Sequence, residues 1–169
     1  MIKGIVAWET KSRGIGYQNQ LPWPIVKEDM AHFRSLTVGH AVVMGAETFR
    51  SLGNIALPKR KNIVLTRKKR KEFPADVIQI TDASQLLKLS YDLWVIGGRS
   101  VYSLLLDVMA ELYVTELKFD ITHKIVFDRY FPSFNESHWD IKGSSSPFLS
   151  CAVPGVQYRI LKYRRNKWT

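Results

Sequence analysis

Short apolar runs rich in β-branched residues alternate with helical patterns along this chain, and no other feature of the sequence constrains its fold as strongly. The alternation predicts strands over residues 2–8, 41–44, 62–66, 77–80, 93–96 and 112–117, with helices over 26–36, 47–52, 83–89 and 100–109. Such a pattern gives an α/β fold: a mostly parallel central sheet with helices on both faces. The tail departs from it. Residues 139–142 and 157–163 read as two strands joined by a Ser/Pro/Gly-rich loop over 143–155, which predicts an antiparallel C-terminal edge strand. The 169 residues, 46% of them apolar, suffice for a proper core and show no linker or repeat, so 1–169 is expected to be a single domain.

Composition removes several classes of function. The lone Cys151 excludes an internal disulfide, and His32, His40, His123 and His138 are too scattered for a metal site. No apolar run approaches the length of a membrane span, and the N-terminus turns polar too soon for a signal peptide. A cytoplasmic protein with no metal and no membrane partner is expected. The net charge of +10 is densest at Arg67-Lys68-Lys69-Arg70-Lys71, with Lys59-Arg60-Lys61 before it and Arg164-Arg165-Asn166-Lys167 at the end. Such runs bind nucleic acid, coat a solvated loop, or gather small polyanions. Charge alone does not choose among these.

Two strand-to-helix turns stand out, Val42-Val43-Met44-Gly45-Ala46-Glu47-Thr48-Phe49 and Trp94-Val95-Ile96-Gly97-Gly98-Arg99-Ser100-Val101-Tyr102. Each leaves backbone N–H groups free beyond a strand's carboxyl end, and two together suit a ligand with several phosphates, such as a dinucleotide. Neither is a G-x-G-x-x-G fingerprint, and no phosphate-binding P-loop occurs. Asp29 is the other anomaly. At helical spacing Val26, Met30, Phe33 and Leu36 form one apolar stripe, and Asp29 falls inside it, while Glu28 is expected on the polar side with His32 and Ser35. A carboxylate on a core-facing stripe needs a partner, either protein or ligand.

Five ordered segments now become recognisable: Gly14-Ile15-Gly16 with Asn19 and Leu21-Pro22-Trp23; Asp29 with Phe33; Val43-Met44-Gly45 with Thr48-Phe49 and Ser51-Leu52; Leu57-Pro58 with Arg60 and Asn62; and Val95-Ile96-Gly97-Gly98 with Val101-Tyr102. In this order and spacing the chain, from Ile5 to about Arg165, resembles the dihydrofolate reductases. Leu112-Tyr113-Val114-Thr115 and Phe131-Pro132 are later echoes. The resemblance implies reduction of 7,8-dihydrofolate to tetrahydrofolate with NADPH, hydride going to pterin C6 and a proton to N5. It implies that Asp29, four residues before Phe33, is the pterin-binding acid, bridged by Thr115. Ile5, Val6, Ala7, Leu21, Met30, Phe33, Leu52, Leu57, Ile96 and Tyr102 would complete the substrate pocket, and Arg60 would hold the α-carboxylate of the folate glutamate. The cofactor would meet Ala7, Ile15, Gly16, Asn19, Gln20 and Leu21 on one side. Around the glycine turns and the end of the third strand it would meet Gly45, Ala46, Glu47, Thr48, Leu65, Thr66, Arg67, Lys68, Ile96, Gly97, Gly98, Arg99, Ser100, Val101 and Tyr102. The segment from Gly14 to Trp23 corresponds to a loop that closes over the cofactor.

The chain departs from the family's usual pattern in three ways. Ala46-Glu47 stands where basic residues usually meet the cofactor phosphates; Thr66-Arg67-Lys68 is the expected compensation, with NADPH still preferred over NADH. Arg99 follows Gly97-Gly98 where some relatives carry a third glycine, and Asp29 lies six residues after Trp23, one more than in many bacterial members. The related pyrimidine reductases of riboflavin synthesis share the sheet but do not predict the Leu21-Pro22-Trp23 loop, the Asp29–Phe33 spacing or the Leu57–Arg60 clamp. A nucleic-acid-binding module leaves Asp29 and both glycine turns unexplained. Steering of anionic dihydrofolate and NADPH accounts for the +10 charge more economically. A monomer acting on a small molecule, without nucleic acid, is expected.

Overall fold

A computed structural model describes residues 1–145 and 147–166. Ser146 in the tail loop and Lys167 in the terminal basic run lie outside the described residues. The strands are β1 (Ile2–Glu9), β2 (Gly14–Gly16), β3 (Ala41–Gly45), β4 (Lys61–Leu65), β5 (Ile78–Ile80), β6 (Leu93–Gly97), β7 (Glu111–Phe119), β8 (Arg129–Tyr130), β9 (Trp139–Ser144), β10 (Leu149–Ser150) and β11 (Val156–Arg165). The helices are α1 (Lys27–Thr37), α2 (Ala46–Ser51), α3 (Ser84–Leu87) and α4 (Arg99–Leu105), the last continued by a 3₁₀ turn over Leu106–Val108.

One sheet runs in the order β10-β11-β7-β1-β6-β3-β4-β5, with β9 also paired to β11. From β7 to β5 all neighbours are parallel, whereas β11 lies antiparallel to β7, with β9 and β10 outside it at the margin. The predicted α/β fold is the observed one. Alternation along β3 shows why both faces are covered: Ala41 and Val43 join one apolar cluster, with Val101 and Leu105 of α4 and Leu86 of α3. Val42 and Met44 join the other, with Phe49 of α2 and with Phe33 and Leu36 of α1 packed against it. Among the described residues no helix is long and apolar enough to cross a membrane.

The differences from the sequence reading are local. The helix expected over 83–89 is the short Ser84–Leu87, and the one expected over 100–109 stops as α-helix at Leu105. The tail loop contains a further strand, β10, and Gly14–Gly16 forms a small second sheet with β8. The β2–β8 pairing joins segments more than a hundred residues apart, so no local periodicity announces it, and β10 is a two-residue strand too short to show one.

What positions the site is a fork. β1 pairs with β6 only from Ile2↔Leu93 to Gly4↔Val95, but with β7 all the way to Glu9↔Leu117. Beyond Gly4 the two central strands part, and Ile5, Val6 and Ala7 face Ile96 and Gly97 across the opening. Parting leaves backbone groups in need of partners. The buried Tyr102 hydroxyl of α4 meets one of them, donating to the Ile5 carbonyl at 2.7 Å. On the opposite side of the sheet's centre, buried Glu116 accepts from Trp8 Nε1 at 3.2 Å and from Arg159 Nε at 2.6 Å, tying β1 and β11 to β7. Replacing Tyr102 with Phe leaves the Ile5 carbonyl unpaired, and a loss of about 1–2 kcal/mol in urea unfolding is the expected result.

Candidate active site

The fork opens into a cleft of 680 Å³. Its apolar wall comes from Ile5, Val6 and Ala7 of β1, Met30 and Phe33 of α1, Leu52, Leu57 and Ile96, with Tyr102 beneath and Leu21 above. Asp29 is the one carboxylate on this wall. Its neighbour is Thr115 on β7, whose buried hydroxyl completes no other hydrogen bond among the described residues. Burial pushes the Asp29 carboxyl above the ordinary carboxylate range, and the Thr115 hydroxyl pulls part of the way back. The predicted anomaly on the helix stripe is therefore a half-buried acid aimed into a cleft.

The expected polar side of α1 is not where the sequence put it. Ser35 is exposed, but Glu28 and His32 are turned inward: Glu28 Oε1 accepts the Ala152 amide at 3.1 Å, and the His32 ring lies 6.5 Å from that of Tyr113. The hidden arc of the helix is wider than one stripe because the C-terminal loop and β7 pack on its second flank. Only the long-range pairing of β11 with β7 brings them there.

Arg60 sits at the outer end of the cleft without lining it. Its Nε donates to Thr37 Oγ1 at 2.9 Å, its Nη1 to the Pro58 carbonyl at 2.9 Å, and the guanidinium lies 5.5 Å from the centre of the Phe33 ring. Partial burial, with Arg34 nearby, makes Arg60 hold its charge less firmly than usual. The turn that carries it is built by buried Asn62, which accepts from the Leu57 amide and donates to the carbonyls of Leu57 and Arg60. That explains the Leu57-to-Asn62 spacing. One side chain replaces three backbone partners.

The other end of the cleft holds Glu47 and Thr48 of α2, Gly97, Gly98, and Arg99 and Ser100 of α4. The Gly97–Gly98 peptide is cis, and Gly97 has φ +131°, a conformation that side chains rarely adopt. A Cβ on Gly98 would lie 3.1 Å from Thr48 Oγ1, so glycine keeps backbone open to the cleft here. Glu47 is not a free charge: it forms an ion pair with Arg50, whose guanidinium lies 5.7 Å from the centre of the Phe73 ring. Gly45, Ala46 and Val101 do not line the cleft, nor do Leu65 at the end of β4 and Thr66, Arg67 and Lys68 after it. The β3–β4 register, ending at Gly45↔Leu65, brings the exposed Arg67 and Lys68 to the same end of the sheet as the glycine turns.

Ile15, Gly16, Asn19 and Gln20 roof the cleft. Tyr17 and Gln20 exchange two backbone bonds of 3.0 Å around Gln18 and Asn19, both at positive φ, making a tight tip. Asp128 latches it: its amide donates to the Gly16 carbonyl and its Oδ2 accepts the Gln18 amide, each at 3.0 Å. A Cβ on Gly14 would fall 2.2 Å from the Phe127 ring, so glycine permits the approach of the two segments. The sequence reading missed Asp128, Arg129, Ser51 and Ser103, which all line the cleft. Ser51 stood inside a quoted motif; the pairing of β2 with β8 that delivers Asp128 had no local signal.

A family model for dihydrofolate reductase matches residues 1–165. The chain is 37% identical over 168 residues to a dihydrofolate reductase of Bacillus subtilis (strain 168), covering 98% of this chain and 95% of that one. It is 32% identical over 165 residues to one of Mycobacterium tuberculosis (strain CDC 1551 / Oshkosh), covering 96% and 98%. The fold superposes with a TM-score of 0.86 on a solved dihydrofolate reductase from Enterococcus faecalis complexed with NADP(H) and RAB-propyl, at 24% identity over 99% of this chain and 97% of that chain. The protein is an α/β oxidoreductase. It belongs to the dihydrofolate reductase family.

The raised acid gives a stability signature. An Asp that binds its proton more tightly folded than unfolded lowers stability as pH rises from the ordinary carboxyl value through the raised one. Asp29→Asn is therefore expected to melt at a higher temperature than the parent at neutral pH, with the gap closing below about pH 4. Melting curves across pH, without ligand, read this directly.

Proposed function

We propose that the chain catalyses NADPH-dependent reduction of 7,8-dihydrofolate to 5,6,7,8-tetrahydrofolate, with hydride to pterin C6 and a proton to N5. The observation that carries this reading is Asp29, the single carboxylate on an apolar cleft wall, beside a buried Thr115 hydroxyl with no other partner. A carboxylate accepts with two oxygens and matches adjacent donors such as the pterin 2-amino group and N3–H. Bound there, the acid makes the ring more basic at N5. We assign immediate proton delivery to a water, since Asp29 grips the opposite edge of the ring.

Other residues take supporting roles. Phe33, Leu52 and Leu57 grip the pterin and the p-aminobenzoyl ring by apolar contact, and Arg60 pairs with the α-carboxylate of the glutamate. Tyr102 holds β1 at the fork and packs near the nicotinamide. The residues present fit a dinucleotide: open glycine backbone at Gly97 and Gly98, the Thr48 and Ser100 hydroxyls, and Arg99 at the cleft, with Arg67 and Lys68 nearby for a 2′-phosphate. NADPH, when bound, supplies the hydride. Pairing with Arg50 mutes Glu47, which supports phosphate binding despite the Ala46-Glu47 departure. Gly14 to Trp23, latched by Asp128, excludes water over the cleft. On this reading the protein acts as a single-domain monomer on a small molecule in the cytoplasm, in keeping with one free, half-buried cysteine.

Mixing the purified protein with dihydrofolate and NADPH is expected to consume the reduced-nicotinamide absorbance. Asp29→Asn should fold and lose about a hundredfold or more in kcat, the scale of a lost acid-base group. Near-normal turnover by that variant would refute the role of Asp29. Arg60→Lys should raise KM for dihydrofolate by about tenfold with little change in kcat, because a point charge replaces a bidentate fork. A sedimentation coefficient for a 19.5 kDa species checks the monomer.

A further inference from the structure

The second flank of α1, turned away from the cleft, carries two ionisable side chains that the reaction leaves unused. Glu28 Oε2 and His32 Nε2 are both buried and make no hydrogen bond among the described residues. The residues are four apart, so their side chains stand one above the other along the helix. Neither lines the cleft. The remaining Glu28 oxygen is engaged: Oε1 accepts the Ala152 amide at 3.1 Å, joining the first turn of α1 to the loop between β10 and β11. Around them stand Asp29 on α1 itself and Tyr113 on β7, whose ring is 6.5 Å from that of His32. Lys162 on β11 lies 5.0 Å from the Tyr113 ring and is paired with Glu111.

A buried carboxylate oxygen without a donor is costly, and a native fold that keeps one uses it for something. Here α1 begins without a cap: Val26 offers no side-chain hydrogen bond to the first turn. The Glu28–Ala152 bond instead ties the first turn of the helix to the loop between β10 and β11, one residue before Asp29.

We propose that Glu28 is a positioning residue for Asp29: its tether to Ala152 holds the first turn of α1 so that Asp29 stays against Thr115. This rests on the role given to Asp29 under the proposed function.

The test compares the parent with Glu28→Ala and Glu28→Gln in steady-state kinetics across pH, and in carbon NMR titration of the Asp29 carboxyl without ligand. Glu28→Ala is expected to raise KM for dihydrofolate by about tenfold, the scale of a hydrogen bond to a charged group, while KM for NADPH stays put. Its Asp29 midpoint should move to higher pH in both measurements, since the Thr115 hydroxyl no longer favours the charged form. Glu28→Gln keeps an oxygen for Ala152, so it should restore both KM and the midpoint. A merely structural Glu28 would lower the melting temperature and leave KM and midpoint at parental values, which overturns the proposal. An equal rise in both KM values overturns it too. Absence of turnover in the parent would instead defeat the reading of the cleft, and the NMR titration still decides whether Glu28 sets the state of Asp29.

Discussion

Every feature of the cleft depends on β1 leaving β6 while staying with β7. Three paired positions hold β1 to β6 and seven hold it to β7, so the strand is anchored on one side where it is freed on the other. The opening faces α1 on one side and α4 on the other, and both helices bring their buried faces to its edge. A sheet that opens must satisfy the backbone it frees. Tyr102 does so from α4, and the same contact fixes the helix that carries Arg99 and Ser100.

The charges divide along the same line. Asp29 is expensive where it stands, because burial opposes its ionisation and Thr115 offsets only part of that. It is tolerable in a cleft whose proposed ligand offers paired donors, and costly in any other setting. At the other end Glu47 is acceptable for the opposite reason: it is exposed, and Arg50 meets it within α2. The net charge of +10 surrounds both and favours arrival of anions without choosing among them.

The helix α1 shows how far pattern reading goes. Its existence, its apolar stripe and the misfit of Asp29 were all visible in eleven residues' worth of spacing. Its second flank was not. Glu28 and His32 look like solvent-facing residues on a helical wheel, and they are half-buried because β11 pairs with β7 and carries the 151–153 segment against them. Asp128 escaped for a similar reason, since the β2–β8 pairing that sets it under the Gly14–Gly16 strand spans more than a hundred residues of chain. Arg60 was legible only within its frame. Asn62 builds the turn that aims it, and that spacing is local.

Local sequence encodes the α/β class, the mostly parallel sheet, the two glycine turns and the acid among apolar neighbours. Each of these is encoded over a few residues, by side-chain period, by glycine's conformational range or by the cost of burying a charge. Tertiary structure decided the fork between β1 and β6, the latch from Asp128, the pairing of β2 with β8 and the hidden flank of α1. Those depend on which distant strands share hydrogen bonds, and strand pairing is a contest among whole segments that no short window of sequence contains.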